Sequence, residues 1–228
     1  MASRHDLPAE SQDLTARLAD RTSRRWDVHL TSAQLSQLAL YLHLLAQWNR
    51  TINLTALPLD GYPETTLDRL IGEALAAAKH VQDREGVWFD LGSGGGSPAV
   101  PLKVVRPALA LTMVESRSRK VAFLGEVVRR LGLEKAVALA ERFEKLDSAI
   151  AGTADLVTVR AVRVDSELLA IAGALLKPGG RLMIFTSVPA LRVSSSNRAP
   201  SRLLEVSSAP LPGPDSLLRI WELAETGV

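Results

Sequence analysis

The stretch Val87-Trp88-Phe89-Asp90-Leu91-Gly92-Ser93-Gly94-Gly95-Gly96-Ser97-Pro98 decides the fold. Val87 to Leu91, apolar apart from Asp90, has the composition of a strand buried on both faces. Gly92, Gly94 and Gly96 alternate through the following turn and remove side chains where a ligand would meet the backbone. Ser97 reads as a helix N-cap and Pro98 as a first helical residue. A helix starting there would offer N–H donors and a positive dipole end.

Two nucleotide-binding readings fit this strand–turn–helix. Gly92-x-Gly94-x-x-Ser97 imperfectly matches the dinucleotide pattern G-x-G-x-x-[GA]. Asp90, Gly92, Gly94 and Gly96 fully match the D-x-G-x-G-x-G loop of S-adenosylmethionine methyltransferases. Asp90 favours the second, because a carboxylate repels a pyrophosphate but suits a cofactor bearing an ammonium and a sulfonium. A glycine turn with only a structural purpose is the third reading.

Composition narrows the class. A chain of 228 residues with 46% hydrophobic content can bury one substantial core with a small extension. The formal net charge of +2 permits a nucleic-acid partner without demanding one. Cysteine is absent, which excludes disulfides, thiolate metal sites and a cysteine nucleophile, and makes a cytoplasmic home the simpler expectation. His5, His29, His43 and His80 lie without ligand spacing, so no metal is expected. No apolar run is long enough for a membrane span, and Met1 to Asp20 is too charged for a signal peptide.

Outward from the glycine turn, apolar runs alternate with helical patterns. Upstream, Leu14 and Leu18 suggest an amphipathic helix, with Arg21, Arg24 and Arg25 at its solvated end. Thr31 and Gln34 form a capping box before Leu35, Leu38, Leu42 and Leu45, which recur at helical spacing up to Trp48-Asn49. Glu64 to His80 reads as a helix burying Leu67, Leu70, Ile71, Ala74 and Leu75. Downstream, strands are expected at Leu109–Val114, Ala136–Ala140, Leu156–Val159 and Arg181–Phe185, with helices at 99–105, 121–131 and 166–176 between them. Lys177-Pro178-Gly179-Gly180 reads as a turn, Pro189 to Arg202 as a mobile loop, and Leu203–Val206 with Leu217–Leu223 as a closing pair of strands. This is an α/β order with a parallel sheet, whose ligands sit at the strands' carboxyl ends. Gly92, Glu115, Phe143-Glu144 and Arg160 all fall there, and Glu115 stands about 20 residues past the glycines, where a carboxylate commonly holds ribose hydroxyls.

Several ordered stretches resemble one family, the small-subunit ribosomal RNA methyltransferase G family, also called glucose-inhibited division protein B. Trp48-Asn49-x-x-Ile52-Asn53-Leu54-Thr55 resembles its W-N-x-x-x-N-L-T element, and Asp90 to Leu102 its D-V-G-S-G-A-G-F-P-G-I-P-L. Glu115-Ser116 with Arg119-Lys120 and Phe123-Leu124, then Arg142-Phe143-Glu144, Arg160-Ala161-Val162 and Leu176 to Arg181, follow in the family's order across residues 30 to 225. Departures are Ser97 for an aromatic or leucine, Ala99 for glycine, Thr65 to Leu70 for H-x-x-D-S-L, and Thr186-Ser187 for lysine-glycine.

The resemblance implies a Rossmann-like S-adenosylmethionine-dependent methyltransferase sheet with a C-terminal antiparallel strand pair, spanning 63–228, and an N-terminal helical extension over 1–62. It implies methylation of a guanine N7 in 16S ribosomal RNA, with 16S ribosomal RNA or the small ribosomal subunit as partner and a monomer as working unit. Gly92, Gly94, Gly96, Ser97, Glu115, Phe143, Glu144 and Arg160 are then the cofactor residues, with adenine near Phe143-Glu144. Arg160 is the catalytic candidate, its charge offset by Asp90 or by the cofactor carboxylate, and Asn53, Arg117, Arg119 and Lys120 are substrate contacts. A nicotinamide-dependent oxidoreductase using the same turn and a non-catalytic RNA-binding paralogue are the alternatives.

Overall fold

A computed structural model describes residues 9–187 and 202–225; the loop expected from 189 lies, apart from Arg202, outside the described residues. Seven strands form one sheet in the order β3-β2-β1-β4-β5-β7-β6. β1 (Gly86–Leu91), β2 (Leu109–Glu115), β3 (Ala136–Ala140), β4 (Ala154–Arg160) and β5 (Leu176–Ser187) run parallel. β7 (Ser216–Leu223) pairs antiparallel with β5 and with β6 (Leu203–Pro210), the appended strand pair expected from the C-terminal pattern. The Lys177–Gly180 turn is absorbed into β5, where the register with β4 shifts between Ala154 and Leu156.

Helices cover both faces, as parallel strands buried on two sides require. On one face α1 (Ala9–Arg24), α2 (Ser32–Asn49), α5 (Ala99–Val105) and α6 (Ser118–Leu131) share a core with Leu14, Leu18, Tyr41, Leu45, Trp88 and Phe123. The Thr31–Gln34 capping box is formed, and α6 ends on Gly132 in the left-handed region. On the other face α7 (Ser166–Leu175) buries Leu168, Leu169 and Ala172 against Val157, Val159 and Leu182. The predicted helix from Glu64 to His80 is present as α3 (Glu64–Leu67) and α4 (Glu73–Ala77) joined by a π turn, Asp68–Gly72, with a final 3₁₀ turn. Such insertions concentrate at functional sites.

Of the arginines at and just past the end of α1, Arg24 is solvated beside Asp20, whereas Arg21 and Arg25 turn to Asp68. Arg21 Nη2 donates to Asp68 Oδ1 at 2.5 Å, Arg25 Nε to Asp68 Oδ2 at 2.9 Å and Trp26 Nε1 to Asp68 Oδ1 at 2.8 Å. Asp68 is 3% exposed. Burying a carboxylate requires such partners, and the last turn of α1 with the two residues after it supplies them from more than 40 residues away in sequence.

Candidate active site

Strand ends and helices meet over the carboxyl edge of β1, β2 and β4 and enclose a cavity of about 520 Å³. That volume suits a nucleoside-sized ligand. Its wall includes Gly92, Gly94, Ser97, Glu115 and Arg160 of the predicted cofactor set, together with Asn53, Arg117 and Lys120 of the predicted substrate set. Arg119 joins Asn53, Arg117 and Lys120 around an adjoining depression at the mouth. A second cavity, beside His80, Asp155 and Arg181 at the opposite strand ends, holds about 40 Å³, room for water only.

The glycine turn is shaped by its own backbone. Gly92 has φ +74°, and a Cβ there would lie 2.7 Å from Val162 Cγ2. At Gly94, with φ +53°, a Cβ would meet nothing nearer than 3.8 Å, so the missing side chain leaves a cradle open on the cavity side. Gly96 does not line the cavity. A Cβ on it would crowd Val100, Leu124 and Tyr41, so packing against the core demands this glycine. Four of the turn's amides are already bonded within the protein. Gly92 and Ser93 N–H donate to Val114 O, Gly96 N–H to Ser93 O, and Gly94 N–H to Glu115 Oε2 at 3.0 Å. Glu115 Oε1 accepts from Arg117 N–H at 2.9 Å. The turn is thus edged by one carboxylate that holds Gly94 and Arg117.

Asp90 stands under the turn rather than in the cavity wall. It is 1% exposed and accepts from Thr158 Oγ1 at 2.5 Å, while Trp88 Nε1 donates to the same hydroxyl oxygen at 2.8 Å. Burial pushes its carboxyl pKa up, against the Thr158 bond and the Arg160 charge. Tyr41 braces the turn from below by donating to Gly95 O at 2.7 Å, and burial holds its phenol above the ordinary range. Asn49 folds residues 50–55 beside it, its carboxamide oxygen accepting from Leu54 and Thr55 N–H and its amide donating to Thr55 O.

Across the cavity the wall is made by the π turn. Ser97 is no N-cap: Pro98 holds that position, and the Ser97 hydroxyl instead donates to Leu70 O at 2.8 Å. Arg160 Nη1 donates to Arg69 O at 2.5 Å and lies 3.4 Å from Ser97 Oγ, while Arg160 Nη2 pairs with Glu73 Oε2. The guanidinium also stacks 4.9 Å over the Phe185 ring. The carboxylate paired with it is therefore Glu73, while Asp90, bonded to Thr158, acts on it through its charge alone. Burial lowers the Arg160 pKa, and Glu73 opposes that shift.

Phe143 and Glu144 are not brought to the cavity wall. Phe143 packs on the α7-side core, and Glu144 turns to Arg142. Sequence reasoning missed Arg69, Glu73 and Tyr41; the usable signal was the i, i+4 pair Arg69–Glu73 inside an apolar helix. Among the described residues no cluster of metal-ligating side chains is present.

Comparison with known proteins gives concordant results. A family model described as rRNA small subunit methyltransferase G matches residues 34–197. Ribosomal RNA small subunit methyltransferase G of Stenotrophomonas maltophilia strain K279a is 36% identical over 184 residues, covering 81% of this chain and 84% of the relative. The protein of the same name from Xanthomonas oryzae pv. oryzae strain MAFF 311018 is 37% identical over 159 residues, 70% of this chain and 72% of the relative. Among solved structures, a SAM-dependent methyltransferase from Aquifex aeolicus superposes with a TM-score of 0.56 at 14% identity, covering 72% of this chain and 96% of that one. An rRNA methylase from Streptococcus thermophilus gives 0.50 at 15% identity, covering 65% and 93%. These two likenesses establish the fold.

Proposed function

The chain belongs to the rRNA small subunit methyltransferase G family, and on that footing we propose that it transfers the methyl group of S-adenosylmethionine to N7 of a guanine in 16S ribosomal RNA. The observation that carries the choice of atom is the make-up of the cavity wall. It contains no cysteine, histidine or aspartate, and its one carboxylate, Glu115, accepts two backbone N–H bonds. Such a wall suits a nucleophile that needs no base. Guanine N7 has an in-plane lone pair and can attack without first losing a proton, so positioning and electrostatics suffice.

The residues fit the cofactor. The Gly94 cradle leaves room beside the turn, and Glu115 offers a carboxylate at the position where ribose hydroxyls are commonly held. When bound, S-adenosylmethionine supplies an electrophilic methyl group on a sulfonium. Gly92 to Gly95 would bound its methionine end, and Glu115 would orient the sugar. Arg160, fixed by Glu73 and the Arg69 carbonyl, would stand at the entry side for the base, where a guanidinium can donate to guanine O6. Asn53, Arg117, Arg119 and Lys120 surround the mouth and would take the RNA backbone. A dinucleotide is disfavoured because the amides of Gly92, Ser93, Gly94 and Gly96, which would have to hold the pyrophosphate, are bonded within the protein.

The same reading takes residues 1–62 as an extension of the methyltransferase domain, and a single cytoplasmic chain as the working unit; the absence of cysteine supports the compartment. Among the described residues no helix is long and apolar enough to cross a membrane. The test is transfer of labelled methyl to purified 16S ribosomal RNA and to small subunits, followed by nucleoside identification. Label in 7-methylguanosine supports the proposal; label in another nucleoside, or none, contradicts it.

A further inference from the structure

Behind the helical wall, one carboxylate serves two guanidiniums. Glu73 is 2% exposed. Its Oε2 pairs with Arg160 Nη2, and its Oε1 faces Arg69 Nη1 at 3.6 Å without a hydrogen-bond partner of its own. Arg69 and Arg160 both line the cavity, whereas Glu73 lies behind them. Arg69 is held in turn by Ser216 Oγ at 2.5 Å. The site keeps room for this arrangement at Gly213, where a Cβ would come within 2.1 Å of Glu73 Oε1.

The charge balance of the wall gives the triad a meaning. Arg69, Arg117, Lys120 and Arg160 face the cavity against the single carboxylate of Glu115. S-adenosylmethionine carries a sulfonium, an ammonium and a carboxylate, a net charge of about +1 near neutral pH from the ordinary ionisation of its groups. Its demethylated product, S-adenosylhomocysteine, has lost the sulfonium and is neutral overall. Four cations would therefore favour the product over the cofactor. A buried negative charge is screened little by solvent, so its field reaches the ligand.

We propose that Glu73, by placing one buried negative charge between Arg69 and Arg160, sets the cavity's preference for S-adenosylmethionine over S-adenosylhomocysteine. It is a specificity residue acting through the two arginines and through space, and this rests on the reading that the cavity takes the cofactor. Asp90 does not fill the same place, since its carboxylate is turned to Thr158 under the glycine turn. An ion pair retained only for stability would serve as well in apolar form, and would have no reason to sit at the cavity wall.

The test is calorimetric titration of the intact protein with each ligand separately, with thermal unfolding as the folding control. Glu73→Gln keeps the shape and removes the charge. It should weaken S-adenosylmethionine on the order of fivefold more than S-adenosylhomocysteine, the size expected for one charge felt across several ångströms of partly screened protein. Arg69→Gln, whose side chain is 34% exposed, removes a positive charge and should shift the ratio of the two affinities the other way. If Glu73→Gln does not fold, the double variant Glu73→Gln/Arg69→Gln, which removes one charge of each sign, carries the test: compared with Arg69→Gln alone it should still weaken S-adenosylmethionine more than S-adenosylhomocysteine. Ratios unchanged from wild type, with both ligands still binding, would overturn the proposal while leaving the cavity's identity intact. Failure of the wild-type protein to bind either ligand would overturn the reading of the cavity, and the proposal with it.

Discussion

The cavity has two walls that keep their shapes by different physics. The glycine wall is set by backbone dihedrals and near-neighbour bonds: positive φ at Gly92, Gly94 and Gly96, with amides satisfied by Val114, Ser93 and Glu115. The helical wall is set by buried charges. Asp68 gathers Arg21, Arg25 and Trp26 on one side of the π turn, and Glu73 holds Arg160 on the other. A wall of the first kind resists change because positive φ at all three glycines, and close neighbours at Gly92 and Gly96, disfavour a side chain. A wall of the second kind depends on each charge keeping its partner, and fails when one is removed.

The largest expected effect falls on the helical wall. Asp68→Ala would leave the buried Arg21 with only the exposed carboxylate of Glu64 and Trp26 Nε1 without its acceptor, at a cost of about 3–5 kcal/mol in urea unfolding. A loss below about 1 kcal/mol would mean that apolar packing alone holds that wall. The glycine wall should come next. Gly92→Ala combines left-handed strain with a 2.7 Å clash on Val162, which together cost roughly 2–4 kcal/mol. Gly61→Ala is the control, with a similar φ of +61° and nothing within 4 Å, so it should show the smaller strain cost alone. Equal losses at the two glycines would remove close approach from the account.

What could be read in the sequence follows the same division. The strand–turn–strand order, the capping box at Thr31 and the left-handed Gly132 rest on local patterns, and local patterns survive folding. Gly92, Gly94, Glu115 and Arg160 were legible because a parallel sheet brings strand ends together whatever the helices do. Asp68 was hidden because its partners stand 42 to 47 residues away, and for Glu73 only the i, i+4 spacing from Arg69 was local, its partner Arg160 standing 87 residues away. Ser97 misled for a related reason: a serine before a helix promises a cap, but the carbonyl of Leu70 claimed its hydroxyl. Phe143 kept its place after β3, yet the apolar face of α7 drew its ring away from the cavity.

Two smaller effects sharpen the contrast within the glycine wall. Glu115→Ala should weaken S-adenosylmethionine by about 1–3 kcal/mol in calorimetry, the loss of hydrogen bonds to a charged group. Unchanged affinity would remove Glu115 from the site. The smallest effect concerns Asp90, whose carboxyl is pushed up by burial. A raised folded-state pKa means that the folded protein holds the proton longer than the unfolded chain. Its contribution to stability is therefore fully present below the ordinary carboxylate range and is lost as pH rises through the folded-state value. Wild type should lose stability relative to Asp90→Asn as pH climbs above that range, with a slope below about 1.4 kcal/mol per pH unit. A difference that grows in the opposite direction would show that Thr158 and Arg160 outweigh burial.

The most direct measurement is a mass map of modified nucleosides in 16S ribosomal RNA from cells with the gene, without it, and complemented with wild-type or Arg160→Lys protein. The account predicts one 7-methylguanosine lost on deletion and restored by wild type. Arg160→Lys should restore little of it, because a point charge cannot reproduce a guanidinium shared between Glu73 and the Arg69 carbonyl. An identical map with and without the gene, or loss of a methyl group from any atom other than a guanine N7, would contradict it.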